Sequence, residues 1–379
     1  MKLTSLKAGS KVYDYTLTKK LGQGSSGFVW VAKDGADEEF VLKLVPLEGW
    51  RKDEYERELT ALEKLKHPNI LKLYNHYEDG KEGILVIEKL DRDLLEFLDD
   101  YQITENEARL IFNQILYAIN HFHKNNCAHM DIKPENILIR GTNRIKIADL
   151  GSTYIWENEE GRHKTGKAGT SFYCAPEVKD SSSPYLADKA DIWSLGITLH
   201  VILTGFWPYL GQTEKEVLSN AKIGKVDLAY QLLSESVCDL LHKMLKIEPS
   251  EIVPIDELLT HTWFSEGEIG DLIFTPREGA ATPKLQLTLP EGVGGEEGEN
   301  ANSLSDLNQE GFKTPRKCQM FSPRAELDGI NIDDELGIRP SPRVAPLEVD
   351  AKGSKPTKLR KFLLNFRRLN KKKEEKEKK

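Results

Sequence analysis

The periodic placement of apolar residues, and the point at which it stops, constrains the fold of this 379-residue chain more than any other feature. Apolar residues recur at helix or strand spacing from about Val12 to Phe264, and the pattern is lost downstream. A stretch of this length can bury the core of one large domain or two ordinary ones. We predict a folded unit over 10–265, a linker over 266–350 and a tail over 351–379.

The two segments after the folded unit differ in charge. Residues 266–310 contain ten acidic residues against two basic ones, and they include the run GVGGEEGEN. Such a segment cannot bury enough apolar area to offset the entropy of ordering, so we expect 266–350 to be disordered. Residues 352–379 reverse the sign, with thirteen Lys or Arg against three Glu.

Cysteine usage and the lack of long apolar runs indicate the compartment. The four cysteines are widely spaced and form no CxxC pair, which disfavours a disulfide framework and a zinc site. The N-terminus lacks the apolar core of a signal peptide, and no apolar run reaches the roughly 18–20 residues that span a bilayer. With a net charge of −8, we expect a soluble, cytoplasmic protein with no nucleic-acid partner. Nuclear import through 371–373 is an alternative.

Strand and helix patterns separate along the chain. The stretches 84–87 and 145–147 are typical of strands, and strands crowd into the first ninety residues. The helical pattern 107–123 places an apolar face at spacings of three and four, formed by Leu110, Ile111, Gln114, Ile115, Ala118 and Phe122. This segregation predicts an α+β protein with a sheet-rich lobe and a helical lobe.

A glycine-rich motif lies between two predicted strands. It follows a GxGxxGxV pattern formed by Leu21, Gly22, Gln23, Gly24, Ser25, Ser26, Gly27 and Val29. Glycines let backbone amides approach phosphate oxygens, and the valine can cover a base. Taken alone, the motif is explained equally well by an ordinary hairpin turn.

A lysine and a glutamate follow at intervals that fit a phosphate site. Lys43 ends an apolar strand, and Glu58 lies in the helical run 54–66, whose buried stripe is predicted to be Leu59, Leu62 and Leu65. The carboxylate of Glu58 could hold Lys43 against a pair of phosphates. Each residue alone would be interpreted as a surface charge.

The strongest signal is a series of four motifs in a fixed order. They are HMDIKPEN at 129–136, DLG at 149–151, APE at 175–177 and DIWSLG at 191–196. An acid that accepts a hydroxyl proton, a neighbouring lysine, and an amide with a second acid for a divalent metal are the parts that phosphoryl transfer needs.

In combination these motifs resemble the eukaryotic protein kinase superfamily over about 10–265. The resemblance implies a bilobal kinase fold that binds ATP between its lobes and transfers the γ-phosphoryl group to protein hydroxyls, in signalling or cell-cycle control. It implies that Lys43 binds the α and β phosphates and pairs with Glu58. It also implies that Asp131 deprotonates the substrate hydroxyl and that Lys133 contacts the γ phosphate.

The same resemblance assigns the remaining nucleotide contacts. Asn136 and Asp149 would ligate Mg²⁺. The hinge Glu88–Leu90 would bind adenine through its backbone, after a gatekeeper at Ile87, and Asp93 would lie near the ribose. The base would be enclosed by apolar side chains, namely Leu21, Val29, Val41 and Leu138.

Three positions depart from the commonest kinase pattern. Met130 replaces an arginine that normally receives a phosphorylated loop residue, so we hypothesise partial activity without loop phosphorylation. Leu150 replaces a phenylalanine and should still pack against the helix that carries Glu58. Ile252 replaces an arginine that pairs with Glu177. A buried unpaired carboxylate is costly, so either Glu177 has another partner or the substrate-binding loop is less firmly held.

Residues near Asp131 favour serine/threonine specificity, and the passages 167–177 and 203–209 resemble calmodulin-dependent-type kinases most. Lys133 follows Asp131 by two residues, and Thr170 could hydrogen-bond to both. Glu135 stands where such kinases often place a carboxylate that binds a substrate arginine. The HMDIKP and DLG runs also resemble the Wee/Myt group, which inhibits cyclin-dependent kinases but typically lacks the APE motif. A pseudokinase scaffold is a further alternative, disfavoured by the complete catalytic set.

Two features of the last 114 residues suggest partners. Five Ser/Thr-Pro pairs followed by a basic residue resemble acceptor sites for an upstream proline-directed kinase, and they begin at Thr275, Thr282, Thr314, Ser322 and Ser341. The stretch 358–369 has the pattern of a basic amphipathic helix, suited to calmodulin, an anionic membrane or the acidic body of the protein. A solvated charged tail is the simpler alternative.

Overall fold

The structure, a computed structural model, describes residues 3–24, 26–142, 144–179, 183–209, 214–223, 233–266 and 275–276. Six strands precede residue 90, namely β1 (Lys11–Val12), β2 (Tyr15–Gln23), β3 (Phe28–Lys33), β4 (Glu39–Pro46), β5 (Leu73–Glu78) and β6 (Glu82–Glu88). They form one antiparallel sheet in the order β1-β2-β3-β4-β6-β5. The predicted strand at 84–87 lies within β6 and is confirmed.

The two faces of this sheet carry different side chains. Val29 lies opposite Lys43, and Val41 lies opposite Ile87. Because side chains alternate along a strand, these four residues share one face. The intervening residues form a separate apolar cluster on the other face, including Phe28, Trp30, Leu42, Leu44, Ile84 and Val86. Register alone therefore places Lys43 beside the apolar residues predicted to enclose a base.

The helix α1 (Trp50–Lys64) follows β4 and packs against it. It begins four residues before the predicted run 54–66 and ends two residues earlier, because Leu65 has an extended backbone and donates its N–H to Ala61. Leu62 and Leu65 are buried as predicted, whereas Leu59 is only partly buried against the core. The buried face of α1 also contains Glu58.

The rest of the folded unit is mainly helical, so the predicted division into a β-rich lobe and a helical lobe is confirmed. Its helices are α2 (Leu94–Asp100), α3 (Glu105–Lys124), α4 (Pro176–Lys179), α5 (Ala187–Thr204), α6 (Glu214–Lys222), α7 (Glu235–Met244) and α8 (Ile255–Leu259). Its short strands are β7 (Arg92–Asp93), β8 (Tyr101–Gln102), β9 (Cys127–Ala128), β10 (Ile137–Arg140), β11 (Arg144–Ile147), β12 (Tyr154–Ile155), β13 (His163–Lys164), β14 (Tyr185–Leu186) and β15 (Thr275–Pro276). The almost wholly buried α5 packs against α3 and α7.

The helix α3 shows where the periodicity argument was incomplete. It begins two residues before the predicted start because Thr104 and Glu107 form a capping box, in which the Thr104 amide donates to Glu107 Oε2 at 2.6 Å. Most of the predicted apolar face is buried, but Leu110 is 37% exposed. Gln114 lies at the edge of the core and donates its amide to the Leu110 carbonyl.

Predictions for the linker 266–350 and the tail 351–379 lie outside the described residues, except at Glu266 and β15. The strand β15 pairs antiparallel with β8, with Thr275 opposite Gln102. The sequence analysis did not predict this pairing, which satisfies backbone groups at the edge of β8. Among the described helices, none combines the length and apolar character that a bilayer crossing requires.

We predict that Trp263→Ala destabilises the helical lobe. The Trp263 ring is fully buried near Phe112, and its indole N–H donates to Glu105 Oε1 at 2.7 Å. Loss of this ring should lower the free energy of unfolding by about 3–5 kcal/mol in chemical denaturation. Tyr117→Ala on α3 is the control, because that side chain is 50% exposed and should contribute less than about 0.5 kcal/mol. Equal losses for the two variants would contradict this assignment of the core.

Candidate active site

The glycine-rich motif forms the turn between β2 and β3. Gly27 has φ of 142°, and a Cβ at this position would lie 2.1 Å from the Leu44 carbonyl oxygen, so only glycine fits. Around Gly22 and Gly24, by contrast, a Cβ would meet no atom within 4 Å. The turn is therefore fixed at one glycine and open at the other two, where phosphate oxygens could approach the backbone.

A contact missed by the sequence analysis joins this turn to α1. The Ser26 hydroxyl donates to Glu54 Oε1 at 2.6 Å. Glu54 also packs closely on Gly151, where a Cβ would lie 2.7 Å from the Glu54 side chain. Glu54 therefore connects the glycine-rich turn to the DLG motif. The predicted phosphate contact at Ser25 lies outside the described residues.

Lys43 is held between two carboxylates. Its Nζ lies 2.6 Å from Glu58 Oε2 and 3.2 Å from Asp149 Oδ1. Burial disfavours the ammonium, but Glu58 and Asp149 more than offset this effect and raise the Lys43 pKa. The sequence analysis placed Lys43 at the end of an apolar strand. The strand β4 instead continues to Pro46, so Lys43 lies within it. The predicted pairing of Lys43 with Glu58 is present.

Four predicted residues lie together at the catalytic loop, defined as residues 129–136: three belong to the loop and the fourth is Thr170. Lys133 Nζ donates to Asp131 Oδ2 at 2.8 Å and to Thr170 Oγ1 at 2.6 Å. The Thr170 hydroxyl donates to Asp131 Oδ1 at 2.7 Å, so the prediction that Thr170 bonds to both residues is confirmed. Asn136 Nδ2 donates to the Asp131 carbonyl at 2.8 Å and to Oδ2 at 2.9 Å. The Asp131 carboxylate is thus oriented by three separate side chains.

Asn136 and Asp149 fit a divalent metal that binds together with a phosphate. Both supply oxygen ligands, which Mg²⁺ prefers. The Asp149 side chain is 49% exposed, and Lys43, despite the opposing effect of burial, holds the pKa of its carboxyl below the ordinary value. No cluster of three or more His, Cys, Asp or Glu in the described ranges could hold a metal alone. An ion held by Asn136 and Asp149 would take its remaining ligands from water and substrate phosphates.

The residues predicted around a base lie near one another in the fold. Gly22 lies opposite Val29 in the sheet, and the neighbouring Leu21 is 51% exposed. Val29 and Leu138 are partly buried against the main core cluster. Leu138 lies opposite Asp93 in the pairing of β10 with β7. The pairing thus joins the predicted ribose contact to the predicted base contact.

Two of the predicted nucleotide contacts, one for the ribose and one in the hinge, have structural roles that the sequence analysis missed. Asp93 Oδ1 accepts the Glu96 amide at 2.8 Å and caps α2. A capping signal was present in the sequence, since an aspartate immediately precedes the helix. Glu88 Oε1 lies 2.8 Å from Lys146 Nζ and accepts the Lys72 amide. The Glu88 side chain is thus engaged away from any role in binding a base.

Asp191, in the DIWSLG motif, binds the backbone of the catalytic loop through its carboxylate. Its two carboxylate oxygens accept the backbone amides of His129 and Met130, each at 2.8 Å, and Oδ2 also lies 3.0 Å from His123 Nε2. The His129 ring then donates from Nε2 to the Ala148 carbonyl and accepts the Asp131 amide at Nδ1. This chain of bonds couples α5 to the catalytic aspartate and to the residue before Asp149.

Comparison with known proteins agrees with this geometry. A family model for the protein kinase domain matches residues 15–264. The chain belongs to the protein kinase family.

Individual relatives of this kinase are protein kinases by name, and one of them is named as calcium-dependent. A carbon catabolite-derepressing protein kinase of Candida glabrata is 33% identical over 269 residues, covering 69% of this chain and 43% of the relative. Calcium-dependent protein kinase 4 of Plasmodium berghei is 34% identical, covering 66% of this chain and 49% of its own. Death-associated protein kinase 2 of mouse is 31% identical, covering 66% and 68%. The kinase thus spans less than half the length of the first two.

Two departures from the kinase pattern are accommodated by burial. Leu150 is fully buried, and the 3₁₀ helix Leu150–Ser152 packs against α1, as predicted. Ile252 is also buried, as a member of the main core cluster.

Glu177 has lost the partner that an arginine at position 252 would supply. Among the described residues, its Oε1 atom is buried without a hydrogen-bond partner. Burial raises the pKa of the Glu177 carboxyl, and the nearby charge of Glu248 adds to the effect. The sequence analysis left open whether Glu177 finds another base. In the described residues it is instead a carboxyl with one unpaired oxygen and a pKa above its ordinary value.

We predict that Glu177→Gln stabilises the kinase at alkaline pH. A carboxyl whose pKa is raised on folding contributes stability at low pH and loses it as pH rises through the folded pKa. The glutamine variant should therefore melt at a higher temperature than the parent at pH 8, and the difference should vanish towards pH 4. Glu157→Gln is the control, because Glu157 is exposed. A lower melting temperature for Glu177→Gln at pH 8 would reveal a cationic partner.

Proposed function

We propose that this protein is an ATP- and Mg²⁺-dependent serine/threonine protein kinase. The observation that carries the proposal is the set of hydrogen bonds around Asp131, in which Lys133, Asn136 and Thr170 orient one carboxylate next to the Lys43–Asp149 pair. A pseudokinase scaffold would need none of these bonds.

The residues of the site divide the reaction between them. Asp131 is placed to accept the proton of a substrate hydroxyl, while Lys133 supplies positive charge beside it for the transferred phosphoryl group. Lys43, fixed by Glu58, supplies charge for the α and β phosphates. When bound by Asn136 and Asp149, Mg²⁺ would neutralise charge on the phosphate oxygens. The apolar face with Val41 excludes water from one side of the nucleotide.

We predict that Asp131→Asn and Asp149→Ala each reduce phosphoryl transfer by at least about 100-fold, because one removes the proton acceptor and the other a metal ligand. The measurement is transfer of labelled γ-phosphate from ATP to a peptide library, with and without Mg²⁺. Asp37→Asn is the control, since its side chain is 80% exposed and lies in the turn between β3 and β4.

The residue that becomes labelled separates the alternatives. Labelled serine or threonine supports the proposal, and labelled tyrosine alone would favour a Wee/Myt-type kinase. ATP binding without transfer in the parent protein would favour a scaffold.

Glu135 is the group that best fits a basic substrate. It follows the catalytic loop in the 3₁₀ helix Pro134–Asn136. Its Oε2 atom is buried and has no hydrogen-bond partner within the described residues. An unpaired carboxylate oxygen beside Lys133 is costly, and a guanidinium from a substrate would satisfy it. The proposal is therefore that substrates carry arginine on the N-terminal side of the phosphorylated residue.

We predict that Glu135→Gln lowers kcat/KM about tenfold or more for peptides with an upstream arginine, because a charge-assisted hydrogen bond contributes about 1.5–3 kcal/mol. The same peptides with the arginine replaced by alanine should show no difference between variant and parent. Glu63→Gln, on the exposed side of α1, should behave as the parent does. Equal losses for both peptides would assign Glu135 a purely structural role.

The partners proposed for the C-terminal segments rest on sequence alone. The five Ser/Thr-Pro sites and the basic stretch 358–369 remain predictions for an upstream proline-directed kinase and for calmodulin or an anionic membrane. Cytoplasmic or nuclear localisation remains a prediction as well. Intact-mass analysis of protein isolated from cells would test the first of these, since each phosphate adds a fixed mass.

A further inference from the structure

The activation segment, defined as residues 149–177 between the DLG and APE motifs, lacks the usual receptor for a phosphorylated residue. Met130 stands where an arginine would bind that phosphate. Its side chain is 6% exposed and lies in an apolar cluster with Ala128, Trp156 and Tyr173. A thioether in such a cluster offers a phosphate neither charge nor a hydrogen-bond donor. Some other contact must hold the segment in register with the catalytic loop.

Arg162 joins this segment to helix α5 of the helical lobe through a charged contact. Its Nε donates to Asp188 Oδ1 at 2.8 Å and its Nη2 donates to Oδ2, which is the two-pronged geometry of a strong guanidinium–carboxylate pair. Nη1 also lies 3.4 Å from Glu159 Oε2. The Asp188 side chain is 7% exposed, so the pair is shielded from solvent on the carboxylate side.

The position of Asp188 connects this ion pair to the catalytic loop. Asp188 lies in the first turn of α5, where the helix dipole favours a negative charge. Asp191 follows three residues later, so the two carboxylates lie on neighbouring positions of the same helix face. Asp191 binds the backbone amides of His129 and Met130. One turn of α5 therefore joins the two segments that an arginine–phosphate contact would otherwise join.

Electrostatics keep this pair charged. Burial alone would raise the pKa of the Asp188 carboxyl, but the bonds from Arg162 and the nearby His123 lower it below its ordinary value. Removing the arginine would leave a buried carboxylate without its main partner, which is the costly way to break such a pair.

Neutral contacts on both sides of Arg162 extend the attachment along the segment. Immediately after it, β13 pairs with β14, with His163 opposite Leu186. The Tyr154 hydroxyl donates to the Gly161 carbonyl at 2.7 Å, and the Tyr185 hydroxyl donates to the Gly166 carbonyl at 2.9 Å. Thr170, further along the same segment, bonds to Asp131 and Lys133. Arg162 thus lies in the same stretch of chain as Thr170, whose side chain contacts the catalytic aspartate.

We propose that the Arg162–Asp188 ion pair takes the place of a phosphorylated loop residue, and that Arg162 is a positioning residue for phosphoryl transfer in the unphosphorylated protein. The inference rests on the proposed kinase function. The ion pair would hold the activation segment in its ordered conformation without phosphorylation of Thr165 or another loop hydroxyl by an upstream kinase.

The test uses full-length protein treated with a phosphatase and verified as unphosphorylated by intact mass. Steady-state kinetics with ATP and a serine peptide are measured for the parent, Arg162→Ala, Asp188→Asn and the double variant. Because charge-assisted bonds contribute about 1.5–3 kcal/mol, Arg162→Ala should lower kcat/KM for the peptide roughly 10- to 100-fold. The KM for ATP should stay within twofold, because the ion pair lies outside the predicted nucleotide contacts, and an unchanged melting temperature would exclude a general loss of folding.

Two further variants distinguish an ion pair from bulk packing. Arg162→Lys keeps the charge and one bond, so it should recover part of the lost activity. The double variant should be no less active than the poorer single variant, because both single changes break the same interaction. Lys167→Ala is the matched control, an exposed cation of the same segment, and it should match the parent, as should Thr165→Ala.

Limited proteolysis gives a readout that does not require activity. Within residues 157–170, Arg162→Ala should be cut faster than either the parent or the control Lys167→Ala. If the parent is active and Arg162→Ala matches it, or if losses in the double variant are additive, the inference fails while the kinase function stands. If the parent transfers no phosphate at all, the proposed function fails, and equal proteolysis of parent and Arg162→Ala would then reject the ion pair separately.

Discussion

The rest of the site depends on one buried carboxylate, that of Asp191, which accepts hydrogen bonds from two backbone amides. A fully buried charge is costly unless it is hydrogen-bonded, and here His129, Met130 and His123 supply the bonds. Met130 has φ of 67°, a left-handed backbone that costs about 1–3 kcal/mol in a non-glycine residue. The bonds to Asp191 stabilise that conformation, which in turn directs Asp131 towards the cleft.

The other half of the site is set by the register of the sheet. Because Val29 lies opposite Lys43, the lysine shares a face with apolar residues and faces α1 and the DLG motif instead of solvent. Glu58 can be buried on α1 only because this ammonium lies 2.6 Å away. Asp149 completes the set with φ of 58°, a second strained residue at the point where the two lobes meet. Strain at both Met130 and Asp149 indicates that the backbone serves the chemistry at these positions.

The parts of the site that follow from short motifs were predictable from sequence, and those that depend on distant pairs were not. Lys43, Asp131 and Asp149 follow from motif order, because each motif fixes both a residue type and its neighbours. Leu110 was wrongly placed in the core, since a single helix period cannot tell which edge of a wide apolar face will be covered. The Ser26–Glu54 and Arg162–Asp188 contacts join residues 28 and 26 positions apart, and neither pair belongs to one motif. Only the folded backbone brings such residues together.

The two arginines that this kinase lacks lead to one physical consequence. Met130 and Ile252 both replace a cation near the activation segment with a buried apolar side chain. Met130 leaves a loop phosphate without an arginine to bind it, and Ile252 leaves Glu177 without the arginine that normally pairs with it. At one end Arg162 supplies the missing positive charge within the segment, and at the other the Glu177 carboxyl keeps one buried oxygen unpaired among the described residues and has a pKa above its ordinary value. The segment is therefore attached to the helical lobe by a charge pair built into the chain, whereas a phosphate on the loop would meet a buried thioether at the position where an arginine normally binds it.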